Sequence, residues 1–302
     1  MDEIIDNDYT PSKLACLTVI IVLFFINYPN IEGKTICFIL KMTIFALLLI
    51  RYVKKTYRLL HYKKPMNSKK DAMGRAIADY WKNKKTDRLR VFSPMFEEDE
   101  IPLTTLFRTY ENMPEIERKA LDMATGRTLD VGAASGCHSL VLQKKGIDVT
   151  AIDISPLAVE TMKNRGVQKV IEQDFFTLAG QQYDTILMLM NGIGIVGTLE
   201  RLPKFFQRLD KILAPGGQVL CDSSDISYVF EDENGMMDIP DEMDYYGEQS
   251  FRMQYKDTIG EPFDWLYIDA DTLKEHAAKN DYNVEVVAEG KHYDYLARIT
   301  KL

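Results

Sequence analysis

An open, mostly parallel α/β sheet with helices on both faces is the fold class that this chain predicts, on three observations. The stretch Thr128-Leu-Asp-Val-Gly-Ala-Ala-Ser-Gly-Cys-His-Ser-Leu140 reads as a buried strand, then a loop of small residues, then a helix. Two later strand-like segments each end in an acid, at Asp153 and at Asp174. The run Tyr183-Asp-Thr-Ile-Leu-Met-Leu-Met-Asn191 is apolar without alternation, as expected of a parallel strand covered on both faces.

Charge divides the chain before any motif does. Residues 1–70 hold 11 Lys/Arg against 5 Asp/Glu, whereas residues 71–302 hold 26 against 40, a net −14 that the overall −8 conceals. A body this acidic repels a phosphate backbone, which argues against nucleic acid as a partner. The four cysteines, Cys16, Cys37, Cys137 and Cys221, show no Cys-x-x-Cys spacing, so neither a metal site nor a disulfide framework is indicated.

Taken in order, residues 1–65 form a hydrophobic segment and a basic linker. Leu14 to Tyr28 is almost unbroken hydrophobicity, and a second run from Thr35 to Val53 follows the polar loop Ile31–Lys34. Two short membrane helices joined as a hairpin account for both, giving membrane contact through residues 12–53. Ten Leu/Ile/Phe residues in the second run contribute roughly −3 to −6 kcal/mol on insertion, against about +2.5 to +3.5 for Lys41. The first run spans only ~25 Å against a ~30 Å hydrocarbon core, a length that slightly favours a helical hairpin buried on the body of the protein. A cleaved leader is the third reading, opposed by the acidic flank and the second apolar run. The cluster Arg51, Lys54, Lys55, Arg58, Lys63, Lys64, Lys69 and Lys70 would set the following domain in the cytoplasm. If translation starts instead at Met66, the protein is simply cytoplasmic.

Residues 66–125 are expected as a helical cap. An amphipathic helix is predicted over 72–84 from Ala72, Ala76, Ile77 and Tyr80-Trp81, and an irregular stretch over 90–105. A further helix starts at Pro114, with Glu115 and Glu117 in its first turn, and stops before Gly126. Arg108 and Tyr110, just upstream, either fold over the loop at 132–136 or make surface pairings.

In residues 126–302 the loop Gly132-Ala-Ala-Ser-Gly136 has almost no side-chain bulk, so a ligand can lie on its backbone at the N-terminus of the next helix. A dinucleotide fingerprint, Gly-x-Gly-x-x-Gly, fails here at two of its three glycines. The segment Asp130-Val-Gly132-Ala-Ala134-Ser-Gly136 instead resembles the first motif of class I S-adenosylmethionine-dependent methyltransferases, departing from it at Ala134, where that family usually has glycine. Alanine there should alter the cradle slightly without abolishing it. Leu213-Ala-Pro-Gly-Gly217 before a strand over Gln218–Asp222 is the second family mark.

That resemblance implies a Rossmann-like, seven-stranded sheet with an antiparallel edge pair, which the alternation of Gln249–Tyr255 and His292–Thr300 would supply around a helix over Asp269–Asn280. It also implies S-adenosyl-L-methionine as the cofactor, bound by Asp130, Gly132, Ala134, Gly136, Asp153, Ile154, Asp174, Phe175 and Asn191. A carboxylate at the end of the second strand, Asp153, accepts hydrogen bonds from ribose hydroxyls. Asp174 is carried over as the partner of the adenine amino group, with Phe175 beside the ring. Asn191-Gly-Ile-Gly194 stands where amino-methylating members carry Asn/Asp-Pro-Pro-aromatic; the missing prolines and aromatic argue against that substrate class.

The expected reaction is transfer of a methyl group to a small-molecule or lipid-linked acceptor. His138, Asp225 and His292 are the available candidates for a general base, and none is singled out as catalytic. Two other readings stay open: a module that binds the donor without catalysis, as a regulator or scaffold, and a nicotinamide-dependent oxidoreductase. The acidic insertion Asp225–Glu248 would cover a substrate pocket or form a solvated loop. Oligomeric state is not legible.

Overall fold

The computed structural model describes residues 68–85, 87–231, 236, 239 and 244–302, which belong to one compact unit, Pro65–Leu302. The expected membrane hairpin and basic linker lie outside the described residues. Among the described residues, no helix is long and apolar enough to cross a membrane.

The first helix, α1 (Ala72–Asn83), begins where the Asp71 carboxylate caps it by accepting from the Gly74 N–H at 2.7 Å. Its apolar stripe buries Ala72, Ala76 and Ile77. The stretch expected as irregular instead contains a hairpin, β1 (Leu89–Phe92) and β2 (Asp99–Ile101), followed by the short α2 (Leu103–Leu106). Acidic residues at the turn, Glu97-Glu-Asp-Glu100, hid the pairing. Arg90 meets Glu98 and Arg88 meets Glu100 across it, so two of these acids are matched by cross-strand charges at the surface. The helix α3 (Glu115–Met123) runs from Pro114 and stops ahead of Gly126, as predicted.

From there the chain builds the main sheet: β3 (Arg127–Val131), α4 (Cys137–Lys144), β4 (Asp148–Asp153), α5 (Pro156–Arg165), β5 (Val170–Glu172), β6 (Tyr183–Met188), α6 (Leu202–Ile212) and β7 (Leu213–Ser224). The β5 strand is shorter than the predicted 169–174, because Asp174 leaves it to cap the turn Phe175–Thr177. The helix α5 has Ser155 accepting from the Ala158 N–H at 2.9 Å, Pro156 in its first turn, and Gly166 in the left-handed conformation beyond its end.

The C-terminal segment adds β8 (Glu248–Tyr255), β9 (Thr258–Ile259), β10 (Phe263–Leu266), α7 (Ala270–Ala278), β11 (Tyr282–Glu289) and β12 (Asp294–Lys301). The seven-stranded sheet has the order β11-β12-β7-β6-β3-β4-β5, parallel throughout except for β12, which is antiparallel to both β7 and β11. The antiparallel edge therefore exists, but its second member is Tyr282–Glu289 and not Gln249–Tyr255. Segment 248–255 belongs to a second sheet of five strands, order β10-β8-β1-β2 with β9 on β8. Both segments alternate in the same way, and pairing partner is not encoded in alternation.

Leu129, Ile186, Val219, Phe205 and Leu209 have no solvent exposure and form the centre of the core between β3, β6, β7 and α6. After β3 the chain moves to β4 and β5 on one side, then returns to β6 on the other. The crevice opens where that reversal occurs, at the carboxyl ends of β3 and β6.

Candidate functional site

Two loops flank the reversal point: Gly132–Gly136 after β3, and Met190–Val196 after β6. In the first, Gly132, Ala134 and Gly136 all have positive φ, at 66°, 51° and 78°. Gly136 needs its missing side chain, since a Cβ would lie 2.9 Å from Val167 Cγ2 and 3.0 Å from Met162 Cγ. Gly132 differs: it is exposed, and a Cβ there would find no heavy atom within 4 Å. The space over Gly132 is the room in which a ligand would lie on the backbone. Ala134 pays the steric cost of a left-handed L-residue, as expected for a cradle altered at that position.

Asp153 is brought to the cradle by the β3–β4 pairing. Its Oδ2 accepts from the Ala134 N–H at 2.8 Å and its Oδ1 from the Ser155 N–H at 2.9 Å. Each carboxylate oxygen has a second lone pair, so these bonds fix the group without consuming its capacity for ribose hydroxyls. Burial pushes its pKa up to about 6, against the two backbone N–H bonds that favour the anion. Buried Asp71 adds to the rise; its Oδ2 accepts from the Ser155 hydroxyl at 2.6 Å. Ile154, next in the chain, is 49% exposed and offers a free apolar face at the same rim.

Asp174 adjoins this group, since the Gln173 N–H donates to the Asp153 carbonyl at 2.9 Å. The Asp174 carboxylate accepts from the Phe176 N–H at 2.7 Å. Phe175 departs from the expectation of a ring beside the ligand: it is 3% exposed and packs on Phe176 and Phe205 at centroid distances of 5.3 and 5.7 Å. Two adjacent phenylalanines share one turn, and the core takes both. Asp130 is likewise a support beneath the cradle, 2% exposed, accepting from the Ser139 hydroxyl at 2.5 Å.

The second loop carries two consecutive left-handed residues, Met190 (φ 68°) and Asn191 (φ 56°). The Asn191 side chain is committed on both ends: Nδ2 donates to the Leu266 carbonyl at 3.3 Å, and Oδ1 accepts from the Ser224 N–H at 3.1 Å. What holds the strained turn is a residue not singled out from the sequence. Asp222, at the carboxyl end of β7 and 5% exposed, accepts from the Met190 N–H at 3.0 Å and the Gly192 N–H at 2.9 Å. Burial pushes its pKa up to about 6 despite those bonds. The only sequence signal was its place at the end of a parallel strand, which Asp153 also has.

Arg108 does not reach over the cradle. It is paired with buried Glu117, whose other oxygen lies 2.9 Å from His138 Nε2. Burial works against the His138 charge, but Cys137, Glu117 and Asp130 outweigh it and hold the imidazole pKa well above its usual value. His138 is thereby a member of a buried ion cluster beneath the cradle. Tyr110 takes the surface role, bonded to Asp122 at 2.8 and 2.9 Å. The cap closes on the cradle elsewhere: the Ser135 hydroxyl donates to the Leu106 carbonyl, and Arg165 Nη1 donates to the Ser135 carbonyl at 2.6 Å. Of the other candidate bases, His292 is exposed in the β11–β12 turn, and Asp225 accepts from the Tyr246 hydroxyl at 2.8 Å and the Ser227 N–H at 2.9 Å.

A shallow cleft of about 370 Å³ opens at the opposite end of the sheet, lined by Thr125, Asp184, Pro215, Gly216 and Arg298. It lies at the amino ends of the strands, away from the reversal point, and contains none of the residues above.

A reversal-point crevice with a small-residue cradle, an exposed glycine and a carboxylate on the next strand defines a nucleoside-binding α/β enzyme fold. The sequence profile of a methyltransferase-domain family matches residues 104–287. A solved S-adenosylmethionine-dependent methyltransferase from Bacteroides fragilis, in complex with S-adenosyl-L-homocysteine, is 56% identical. The match covers 79% of this chain and 98% of that one, with a TM-score of 0.75. The CcbJ methyltransferase of Streptomyces caelestis, at 12% identity and TM-score 0.51, shares the fold over 76% of this chain and 98% of its own. Among curated proteins, a ubiquinone biosynthesis O-methyltransferase of Xanthomonas oryzae is 28% identical over 107 residues. That match covers 33% of this chain and 43% of the relative, so the chain spans less than half the length of such relatives. The chain belongs to the class I S-adenosylmethionine-dependent methyltransferase family, whose cofactor is S-adenosyl-L-methionine. The residues present fit that group at Gly132, Asp153, Ile154 and Asp174.

Proposed function

We propose that this protein transfers a methyl group from S-adenosyl-L-methionine to a small-molecule acceptor. The observation that carries this reading is the open space over Gly132, bordered by the Asp153 carboxylate at the point where strand order reverses. The cofactor supplies an electrophilic methyl on a sulfonium. Asp153 would hold the ribose hydroxyls, Asp174 the adenine amino group, and exposed Ile154 the flat face of the ring. Gly132 and Ala134 would carry the ligand on their backbone, while Asp130, Gly136 and Asn191 keep the two loops in shape.

Displacement at a sulfonium methyl needs an acceptor lone pair held in line with the leaving sulfur. Alignment of that kind reaches effective molarities of roughly 10⁵–10⁸ M without a proton transfer. His138 and Asp225 are both engaged in hydrogen bonds, which favours a reaction driven by alignment over one driven by a base. The net −14 of residues 71–302 supports a small acceptor over nucleic acid.

Isothermal calorimetry with S-adenosyl-L-homocysteine and with the nicotinamide dinucleotides tests the site: the first should bind and the second should not. Consumption of the methyl donor in the presence of a cell-extract metabolite fraction then separates an enzyme from a non-catalytic donor-binding module. We further propose membrane attachment through residues 12–53 with the catalytic unit in the cytoplasm, supported by the two apolar runs and the basic cluster after them. Recovery of the full-length chain in the soluble fraction without detergent would overturn that placement.

A further inference from the structure

The second sheet presents to the methyl-transfer site one face that neither solvent nor the core fully occupies. Cross-strand pairing puts Gln249 opposite Trp265 and Phe251 opposite Phe263, so these four side chains share a face, with Met253 next along β8. One end of this face rests on the loop after β6, and the other shares an apolar cluster with it. Trp265 lies against Gly194, where an added Cβ would meet its Nε1 at 2.0 Å. Met253 and Met190 pack on the same apolar cluster.

Between those anchors the rings are only half-buried: Phe251, Phe263 and Trp265 all keep partial exposure. They meet edge to face or tilted, Phe251 to Phe263 at 6.2 Å and Phe263 to Trp265 at 6.0 Å, and Phe251 also meets Phe96 at 6.3 Å and Tyr267 at 6.2 Å, so the face is an aromatic wall. Gln249 is the polar exception on this face. It is 2% exposed; its Nε2 donates to the Tyr246 carbonyl at 2.7 Å, and among the described residues its Oε1 has no hydrogen-bond partner. A buried carbonyl oxygen without a donor has lost its water and gained nothing in return, and a ligand donor would recover that loss.

We infer that this face is the acceptor-binding wall, that it takes a neutral, planar ring compound, and that Gln249 Oε1 accepts a hydrogen bond from the ring's hydroxyl or amino group. The inference rests on the methyl-transfer reading, because it places the acceptor against the loop beside the donor site. An anionic ring is disfavoured, since the carboxamide is uncharged and the hydroxyl of its partner Tyr246 is bonded to the carboxylates of Asp225 and Asp269. Gln249 is thus a specificity-determining residue, selecting acceptors that carry a donor hydrogen.

The test uses protein saturated with S-adenosyl-L-homocysteine and calorimetric titration with two probes, 2-naphthol and 2-methoxynaphthalene, which differ in the donor hydrogen. Wild type should prefer 2-naphthol by about tenfold, the worth of one buried hydrogen bond. Gln249→Leu should lose that preference, and Phe251→Ala should weaken both probes about equally; each variant should take up S-adenosyl-L-homocysteine as wild type does. If Gln249→Leu does not fold, the wild-type preference and the Phe251→Ala result decide. Normal uptake of S-adenosyl-L-homocysteine with no naphthol preference, no naphthol binding, or a preference that survives Gln249→Leu overturns the acceptor wall alone. Failure of wild type to take up S-adenosyl-L-homocysteine overturns the donor site, and the wall with it.

Discussion

The two sheets of this protein are built by opposite strategies. In the seven-stranded sheet, β3 to β7 follow one another in sequence, and the loops after β3, β4 and β5 carry the residues proposed to hold the cofactor. In the five-stranded sheet, β1 at residues 89–92 pairs with β8 at 248–255, across the five parallel strands β3 to β7 of the other sheet. The first sheet fixes a donor site from local segments. The second closes over it with strands from distant segments, and its inward face is where the acceptor would sit. A generic donor site and an individual acceptor site thus have separate scaffolds, so one can change without the other.

The comparison breaks most visibly at Tyr255. This residue has no exposure and joins β8 to the cluster of Ala76, Ile77 and Leu89. Tyr255→Ala should destabilise the chain by about 3–5 kcal/mol, the usual cost of truncating a buried aromatic. If the two sheets are separable, hydrogen exchange should speed up in β1, β8 and β10 and leave β3, β4 and β6 protected. Uniform loss of protection would show that they fold as one unit.

Asp153→Ala probes the other sheet. Loss of charge-assisted bonds to the ribose should weaken binding of S-adenosyl-L-homocysteine by about 1.5–3 kcal/mol for each bond lost. Unchanged affinity by calorimetry in a folded variant would remove Asp153 from the site.

Acidification should sharpen the contrast between the free protein and its complex. Asp153 and Asp222 both have pKa values pushed up to about 6, above the 3.8 of an unperturbed aspartate. The folded state therefore binds more protons than the unfolded one between pH 4 and 6, and this pair makes the free protein less stable as pH rises through that window. His138, with its pKa raised, contributes stability that is complete below about pH 6.5 and does not change within the window. Donor-product affinity should run the other way, since only ionised Asp153 accepts from both ribose hydroxyls. It should fall by up to about tenfold per pH unit below 6. The difference in melting temperature between wild type and Asp153→Asn at matched pH isolates the first slope from the carboxylates whose pKa is lowered, such as Glu117 and Asp269, and calorimetry gives the second. A difference that does not change between pH 4 and 6 would refute the assignment.

The smallest expected effect is at the cradle itself. Ala134 holds φ 51°, which costs an L-residue about 1–2 kcal/mol that glycine avoids. Ala134→Gly should stabilise the protein by about 1 kcal/mol, net of the added freedom of the unfolded chain, with the Asp153–Ala134 bond retained. A melting temperature that does not rise would mean the loop relaxes in place.

Sequence alone determined what depends on short-range order. The strand–loop–helix at 128–140, Asp153 at the end of its strand, the capping at Ser155-Pro156 and Gly166, and the apolar run at 183–191 are each written in contiguous residues, whereas Asp174 left its strand to cap the turn that follows. Tertiary structure decided everything that needed a partner. Alternation in 249–255 and in 292–300 looked the same, yet one strand joins a second sheet and the other lies between β11 and β7 in the first, because pairing energy lies in the neighbour and not in the strand. Phe175 went to the core because two adjacent rings shared a turn beside Phe205, and Asn191 was spent on Leu266 and Ser224, which only folding brings near. Asp222 became the clamp of a strained loop for the same reason: a buried carboxylate takes the N–H groups that chain reversal places within its reach, and those lie thirty residues away in sequence.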